Sequence, residues 1–93
     1  MLRGEPFQEQ KAKDLIRSIL GKGTVSYTSH FREEIGKDKM TTKDCENVLR
    51  GGWVEPAEEE CGSWRYRVCT QRMCVVVTFR SESELVLITA WRT

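Results

Sequence analysis

A chain of 93 residues, 39% apolar and 31% charged with net charge +1, has the makings of one domain with one modest core, and it is not a strongly basic nucleic-acid binder. No apolar run approaches the roughly 20 residues that span a bilayer, and Met1-Leu2-Arg3-Gly4-Glu5-Pro6 lacks the apolar run of a signal peptide. A single cytoplasmic domain over residues 1–93, without membrane contact, is therefore expected.

Residues 8–20 read as an amphipathic helix, because Ala12, Leu15, Ile16, Ile19 and Leu20 form one apolar stripe. Pro6 suits its start, and Gly21 or Gly23 its end. Residues 24–28 are short and β-branched, a strand or an extended link. Ser29 offers an N-cap for a short helix through Ile35, and Gly36-Lys37-Asp38-Lys39 breaks it. Thr41 precedes Asp44 by three residues, as in a capping box. The helix that follows runs to Arg50, with Cys45, Val48 and Leu49 as its apolar side and Gly51-Gly52 as its end.

From Trp53 onward the pattern is strand-like. Residues 53–59 form one strand, weakened by Pro56 and so expected at an edge. Residues 63–70 alternate, residues 72–80 are continuously apolar, and residues 84–92 make a further strand. Turns fall at Thr70-Gln71 and Ser81-Glu82-Ser83. The class is α+β: helices packed on a twisted antiparallel sheet of about four strands.

Charge is unevenly spread. Residues 1–23 carry five basic and three acidic side chains, residues 24–60 five and nine, and residues 61–93 five and two. All five basic residues of the last segment are arginines: Arg65, Arg67, Arg72, Arg80 and Arg92. Arginine presents a planar fork that matches phosphate and stays charged near neutral pH. An arginine-studded sheet facing an anion, such as an RNA backbone, is one reading. Ordinary outward strand positions that guard an edge are the other. Alternation puts Arg65 and Arg67 on one face, with Trp64, Tyr66 and Val68 on the other. A turn at Thr70-Gln71 pairs Cys69 with Arg72 and Arg67 with Cys74. Arg65, Arg67, Arg72 and Arg80 then share a side, and Met73, Val75, Val77 and Phe79 face the core. The side on which Trp91 and Arg92 emerge is left open by the turn after Arg80. The acidic stretch at residues 55–60 repels RNA and is expected away from the arginines.

None of the four cysteines, Cys45, Cys61, Cys69 and Cys74, has the C-x-x-C spacing of a zinc site, so no metal or cofactor is expected. Cys69 and Cys74 flank a hairpin turn and are within reach of a disulfide, but reduced packing cysteines are expected in the cytoplasm. His30 is the single histidine. It can serve as a general acid or base toward a ribose hydroxyl or leaving oxygen, with arginines stabilising charge on phosphate. It can equally be a capping or partly buried structural residue. Tyr27 and the tryptophans can stack on bases or fill the core.

The ordered strings Tyr27-Thr28-Ser29-His30-Phe31-Arg32, Met40-Thr41-Thr42-Lys43-Asp44 and Val48-Leu49-Arg50-Gly51-Gly52 resemble an uncharacterised bacterial domain family with the pattern S-x-H-x-x-x-R, a spacer, a helix and a glycine before the sheet. Arg65-Tyr66-Arg67-Val68, Cys74-Val75-Val76-Val77-Thr78-Phe79 and Val86-Leu87-Ile88-Thr89-Ala90-Trp91-Arg92 resemble its later strands. That family is similar to small toxins of the RelE type, including the MqsR and BrnT branches. The resemblance implies a RelE-like fold, metal-independent cleavage of mRNA, free or on the ribosome, and a neighbouring antitoxin as partner. His30, Arg65 and Arg67 are then the catalytic candidates, and Arg72, Arg80, Arg92 and Tyr27 the RNA-binding ones. Two departures stand out. Positions where relatives often carry arginine after the histidine hold Glu34 and Asp38, and Cys74 replaces a second histidine. The rival reading is a non-catalytic module of the same fold that binds protein or RNA.

Overall fold

The computed structural model describes residues 2–93. Its elements follow in the order α1 (Glu9–Lys22), β1 (Thr24–Tyr27), α2 (Ser29–Lys37), α3 (Thr42–Gly51), β2 (Trp53–Val54), β3 (Glu58–Glu60), β4 (Ser63–Cys69), β5 (Met73–Ser81) and β6 (Glu84–Arg92). The class is α+β, as expected, but the sheet has six strands rather than about four. Its order is β1-β6-β5-β4-β2, with β3 also on β4. It is mixed, because β1 runs parallel to β6 while every other pairing is antiparallel. Parallel neighbours need a long crossover, and everything between β1 and β6 supplies it. Pro56 has no amide proton to give a ladder, so the single strand expected at residues 53–59 divides around it into β2 and β3.

Local signals set the helix ends. In α1, Ala12, Ile16 and Ile19 are buried, and the Gly23 amide donates to the Ile19 carbonyl at 2.7 Å. Thr28, not Ser29, caps α2: its hydroxyl accepts from the Phe31 amide at 3.0 Å. At α3 the capping box forms. Thr41 Oγ1 accepts from the Asp44 amide at 3.0 Å, and Asp44 Oδ2 accepts from the Thr41 amide at 2.9 Å. Gly52 closes α3 against β4, where a Cβ would meet the Cys69 carbonyl oxygen at 2.6 Å and that of Val48 at 2.7 Å.

Helices α1 and α3 cover one face of the sheet. Tyr66, Val68, Val75, Val77, Leu85 and Leu87 are fully buried there, and Trp64 and Leu15 pack half-buried at the margin. The Tyr66 ring meets Phe79 edge-on at 5.1 Å, and Phe7 meets Phe79 at 5.7 Å. The Tyr66 hydroxyl donates to Glu5 Oε2 at 2.9 Å and accepts from the Phe7 amide at 3.0 Å, tying down the N-terminal segment.

The β4–β5 turn is displaced by one residue from its expected place. The Thr70 amide donates to the Met73 carbonyl at 2.8 Å, so Gln71 and Arg72 form the turn. Cys69 now pairs with Cys74, and Arg67 with Val76. The two-residue change in pairing leaves the faces of both strands as expected, but it moves Arg72 off the strand face. It also corrects the expectation of reduced cysteines. Cys69 and Cys74 stand directly opposite each other, with Cα atoms 4.1 Å apart, and are joined as a disulfide. Among the described residues Cys45 and Cys61 are the free cysteines, and burial pushes the Cys45 thiol up to about 11, helped by the charges of Asp44 and Glu46.

One irregularity decides the far end of β6. Val76 pairs with Thr89 but Val77 pairs with Leu87, so Ile88 is an extra residue, a β-bulge. Beyond it the alternation changes sides. Leu87 and Ala90 both face the core, and Trp91, paired with Cys74, faces the other way.

Candidate functional site

A cleft of about 300 Å³ opens on the sheet face that α1 and α3 leave free. His30, Glu58, Glu60, Arg65, Arg67 and Trp91 contribute to its lining. Its floor follows from burial on the other side. Tyr66 and Val68 are fully buried, so the alternation of β4 turns Arg65 and Arg67 toward the cleft. Val76 and Thr89 continue the row from Arg67 across β5 and β6. The bulge at Ile88 brings Trp91 to the same face, where the Arg67 guanidinium lies 5.5 Å from its ring centroid.

His30 comes from the first turn of α2. The Thr28 hydroxyl donates to the Ile88 carbonyl at 3.0 Å and so fastens that turn to the bulge. The His30 side chain is 60% exposed, and its Nε2 lies 3.9 Å from Glu34 Oε1. Thr28 already caps the helix, so His30 is neither a cap nor a buried structural residue.

The acidic stretch does not lie away from the arginines. β3 pairs with the arginine-bearing strand β4, placing Glu58 opposite Arg65. Glu60 approaches Arg65 at 3.7 Å, and Glu55 hydrogen-bonds Arg67 at 3.3 Å. The physical reason is that β4 has an open edge beside this segment, and opposite charges across paired strands attract. The cleft is therefore a mixed-charge site and not a basic surface. Arg65 Nε is nevertheless buried without an acceptor, the one such side-chain atom among the described residues.

The other candidates are elsewhere. Arg72 lies in the turn and, with Arg92, borders a separate depression beside Asp44 and Val48 of α3. Arg92 pairs with the core-facing Met73 and donates to the Asp38 carbonyl at 3.2 Å. Arg80 sits at a second register shift and hydrogen-bonds Glu84 at 2.7 Å. Tyr27 is half-buried on the core face, stacked on Phe31 at 5.4 Å. Burial pushes its phenol upward, and the charges of Glu46 and Cys45 add to this against Arg32. The fold thus joins His30 to Arg65 and Arg67 and leaves Arg72, Arg80, Arg92 and Tyr27 out of the cleft.

Glu58 and Glu60 were missed as cleft residues. The edge character given to their strand by Pro56 was the one signal for their place beside β4. Among the described residues no group of three or more His, Cys, Asp or Glu side chains is placed to hold a metal ion, and no helix is long and apolar enough to cross a membrane. No family model, no curated protein and no solved structure matches this chain.

Proposed function

We propose that the chain is a toxin-like domain of the RelE type that binds mRNA and cleaves it without a metal. The observation that carries this reading is His30: a lone exposed histidine with no capping duty, at the wall of a cleft floored by two arginines. A cleft of about 300 Å³ is at the lower end of the range that holds a small ligand and suits one nucleotide unit. His30 would transfer a proton at a ribose or leaving oxygen. Arg65 and Arg67 would hold the phosphate and its developing charge. Trp91 offers a ring at the same face. Such a domain works in the cytoplasm on mRNA, free or ribosome-bound, restrained by a neighbouring antitoxin.

The test is His30→Ala, assayed on free RNA and on translating ribosomes with EDTA present. Loss of cleavage by about 10²–10⁴-fold is expected. Stability should change by less than about 0.5 kcal/mol, as for an exposed side chain without a structural bond. Equal cleavage by variant and wild type refutes the role of His30. One observation favours a second reading, a non-catalytic protein-binding module: Glu55 and Glu60 already occupy the two arginines. Wild-type protein that neither binds nor cleaves any RNA would leave that module as the function.

A further inference from the structure

The disulfide of the β4–β5 hairpin belongs to a row that crosses four strands. Trp53 of β2 stands opposite Cys69 of β4, Cys69 opposite Cys74 of β5, and Cys74 opposite Trp91 of β6. Residues directly opposite each other share a face, so the whole row lies on the side of the cleft. Helices α1 and α3 pack on the other side, yet Cys69 is only 3% and Cys74 only 7% exposed. The indole rings at the two ends of the row close it over. They are held differently. Trp53 is 51% exposed, the one large apolar side chain so exposed among the described residues, and it stands on a two-residue strand at the margin of the sheet. Such a strand is held by few bonds and opens readily. Trp91 has the Arg67 guanidinium over its ring, 5.5 Å from the centroid.

Thiol–disulfide exchange is an in-line displacement, in which a thiolate approaches one sulfur from the side away from the other. The link runs from β4 to β5, so an approach to Cys69 Sγ comes from the β2 side, where Trp53 can swing aside. An approach to Cys74 Sγ comes from the side of Trp91, which Arg67 holds down.

We propose that Cys69 and Cys74 are a redox-active pair that exchanges with a dithiol reductant while the domain stays folded, with Trp53 as the flap over Cys69. A thiolate of the dithiol forms a bond to Cys69 Sγ. The Cys69–Cys74 bond breaks with its electron pair on Cys74 Sγ, which takes up a proton. The second thiolate of the dithiol then attacks its partner sulfur in the mixed disulfide. That bond breaks with its electron pair on Cys69 Sγ, which takes up the second proton. The dithiol leaves as a disulfide, and two electrons and two protons have passed to the protein. The fold does not depend on the link. It closes a sequence separation of only five, so little chain entropy rides on it, and Tyr66, Val68, Val75 and Val77 are buried on the other face. What changes is the row. Unbonded thiols part to van der Waals contact, and the indoles beside them give way. Arg67 lies over Trp91 and both line the cleft, so the redox state of the hairpin reaches the cleft through this one stack.

Dithiothreitol added to the native protein tests the inference. After acid quenching and alkylation in denaturant, the oxidised chain should carry label on Cys45 and Cys61 alone, and the reduced chain on Cys69 and Cys74 as well. Reduction should proceed at a rate that low urea leaves unchanged, and Trp53→Ala should speed it severalfold. In heteronuclear NMR spectra the indole resonances of Trp53 and Trp91 and the Nε–H resonance of Arg67 should shift on reduction. The indole of Trp64, packed at the margin of the core face, should stay in place. Cys69→Ala with Cys74→Ala should show the shifted spectrum from the start and no response to dithiothreitol. Reduction only as fast as global unfolding overturns the inference, and so does an unchanged rate in Trp53→Ala. Unmoved Trp91 and Arg67 resonances overturn it too. A double variant that fails to fold does the same, because the pair is then a structural staple. None of these readouts uses RNA, so the outcome is independent of the function proposed above.

Discussion

Replacing Tyr66 with phenylalanine removes one atom and cuts two bonds. The hydroxyl oxygen donates to Glu5 Oε2 and accepts from the Phe7 amide, and the ring beneath it is completely buried. A hydrogen bond to a carboxylate is worth about 1.5–3 kcal/mol, and leaving a peptide amide unpaired adds about 1 kcal/mol. Glu5 keeps its second bond, from the Leu2 amide at 2.9 Å, and can turn to water. The expected net loss is about 2–4 kcal/mol in urea denaturation. That corresponds to a fall in Tm of roughly 10–20 °C for a domain of this size. The variant should also alter the response to alkali. Burial is the chief cause that pushes the Tyr66 phenol well above its ordinary value of 10.0; the adjacent Glu5 adds to it, and the Phe7 amide works against it. The unfolded chain therefore loses this proton first, and stability falls as pH rises above about 10 toward the folded value. Tyr66→Phe lacks that share of the alkaline slope. A loss below about 0.5 kcal/mol, with the slope intact, would refute the claim that this hydroxyl holds the N-terminal segment.

Gly52→Ala should destabilise by about 1–3 kcal/mol in the same assay, since its methyl meets two carbonyl oxygens on α3 and β4; a neutral result would mean that the α3–β4 junction is looser than described. Thr41→Ala should cost about 0.5–2 kcal/mol through loss of the cap. Bonds from the Thr41 amide and hydroxyl hold the Asp44 carboxyl below its ordinary value, so the support this box gives is present above the unfolded value and lost as pH falls through the folded one. Glu55→Gln with Glu60→Gln should release Arg67 and Arg65 and strengthen RNA binding, with a steeper salt dependence in filter binding; unchanged affinity would place the RNA elsewhere.

What could be read from the residues was what depends on near neighbours. The capping box is written within four residues, and it forms. The alternation of β4 is written in Tyr66 and Val68, and their burial turns Arg65 and Arg67 to the opposite side. Features set by distant partners were not legible. A count by twos from Leu85 places Trp91 on the core face, and only the extra residue Ile88 reverses it. Nothing in Val86-Leu87-Ile88-Thr89 signals the bulge, because every one of these side chains suits a strand. The parallel pairing of β1 with β6 is likewise a matter of where the chain returns. Electrostatic reasoning sent the glutamates away from a polyanion, yet the folded chain has no polyanion in it. Their nearest opposite charges are the arginines of the strand they pair with.

The disulfide of the β4–β5 hairpin does more than shorten a loop. Hydrophobic alternation has a period of two, so it cannot distinguish two registers that differ by two residues. With the turn at Thr70-Gln71, every core residue of both strands would still face the core, yet Cys69 would stand opposite Arg72 and Cys74 opposite Arg67. In the register that forms, the sulfurs meet, and Arg67 stands opposite Val76 instead. Closing so short a loop is worth only about 2 kcal/mol as general stabilisation. As a selector it acts entirely on one side of the choice, because the slipped hairpin has no bond to make. The covalent link thus supplies the one bit of alignment that burial leaves unwritten, and with it the strand position at which an arginine meets the histidine's side of the cleft.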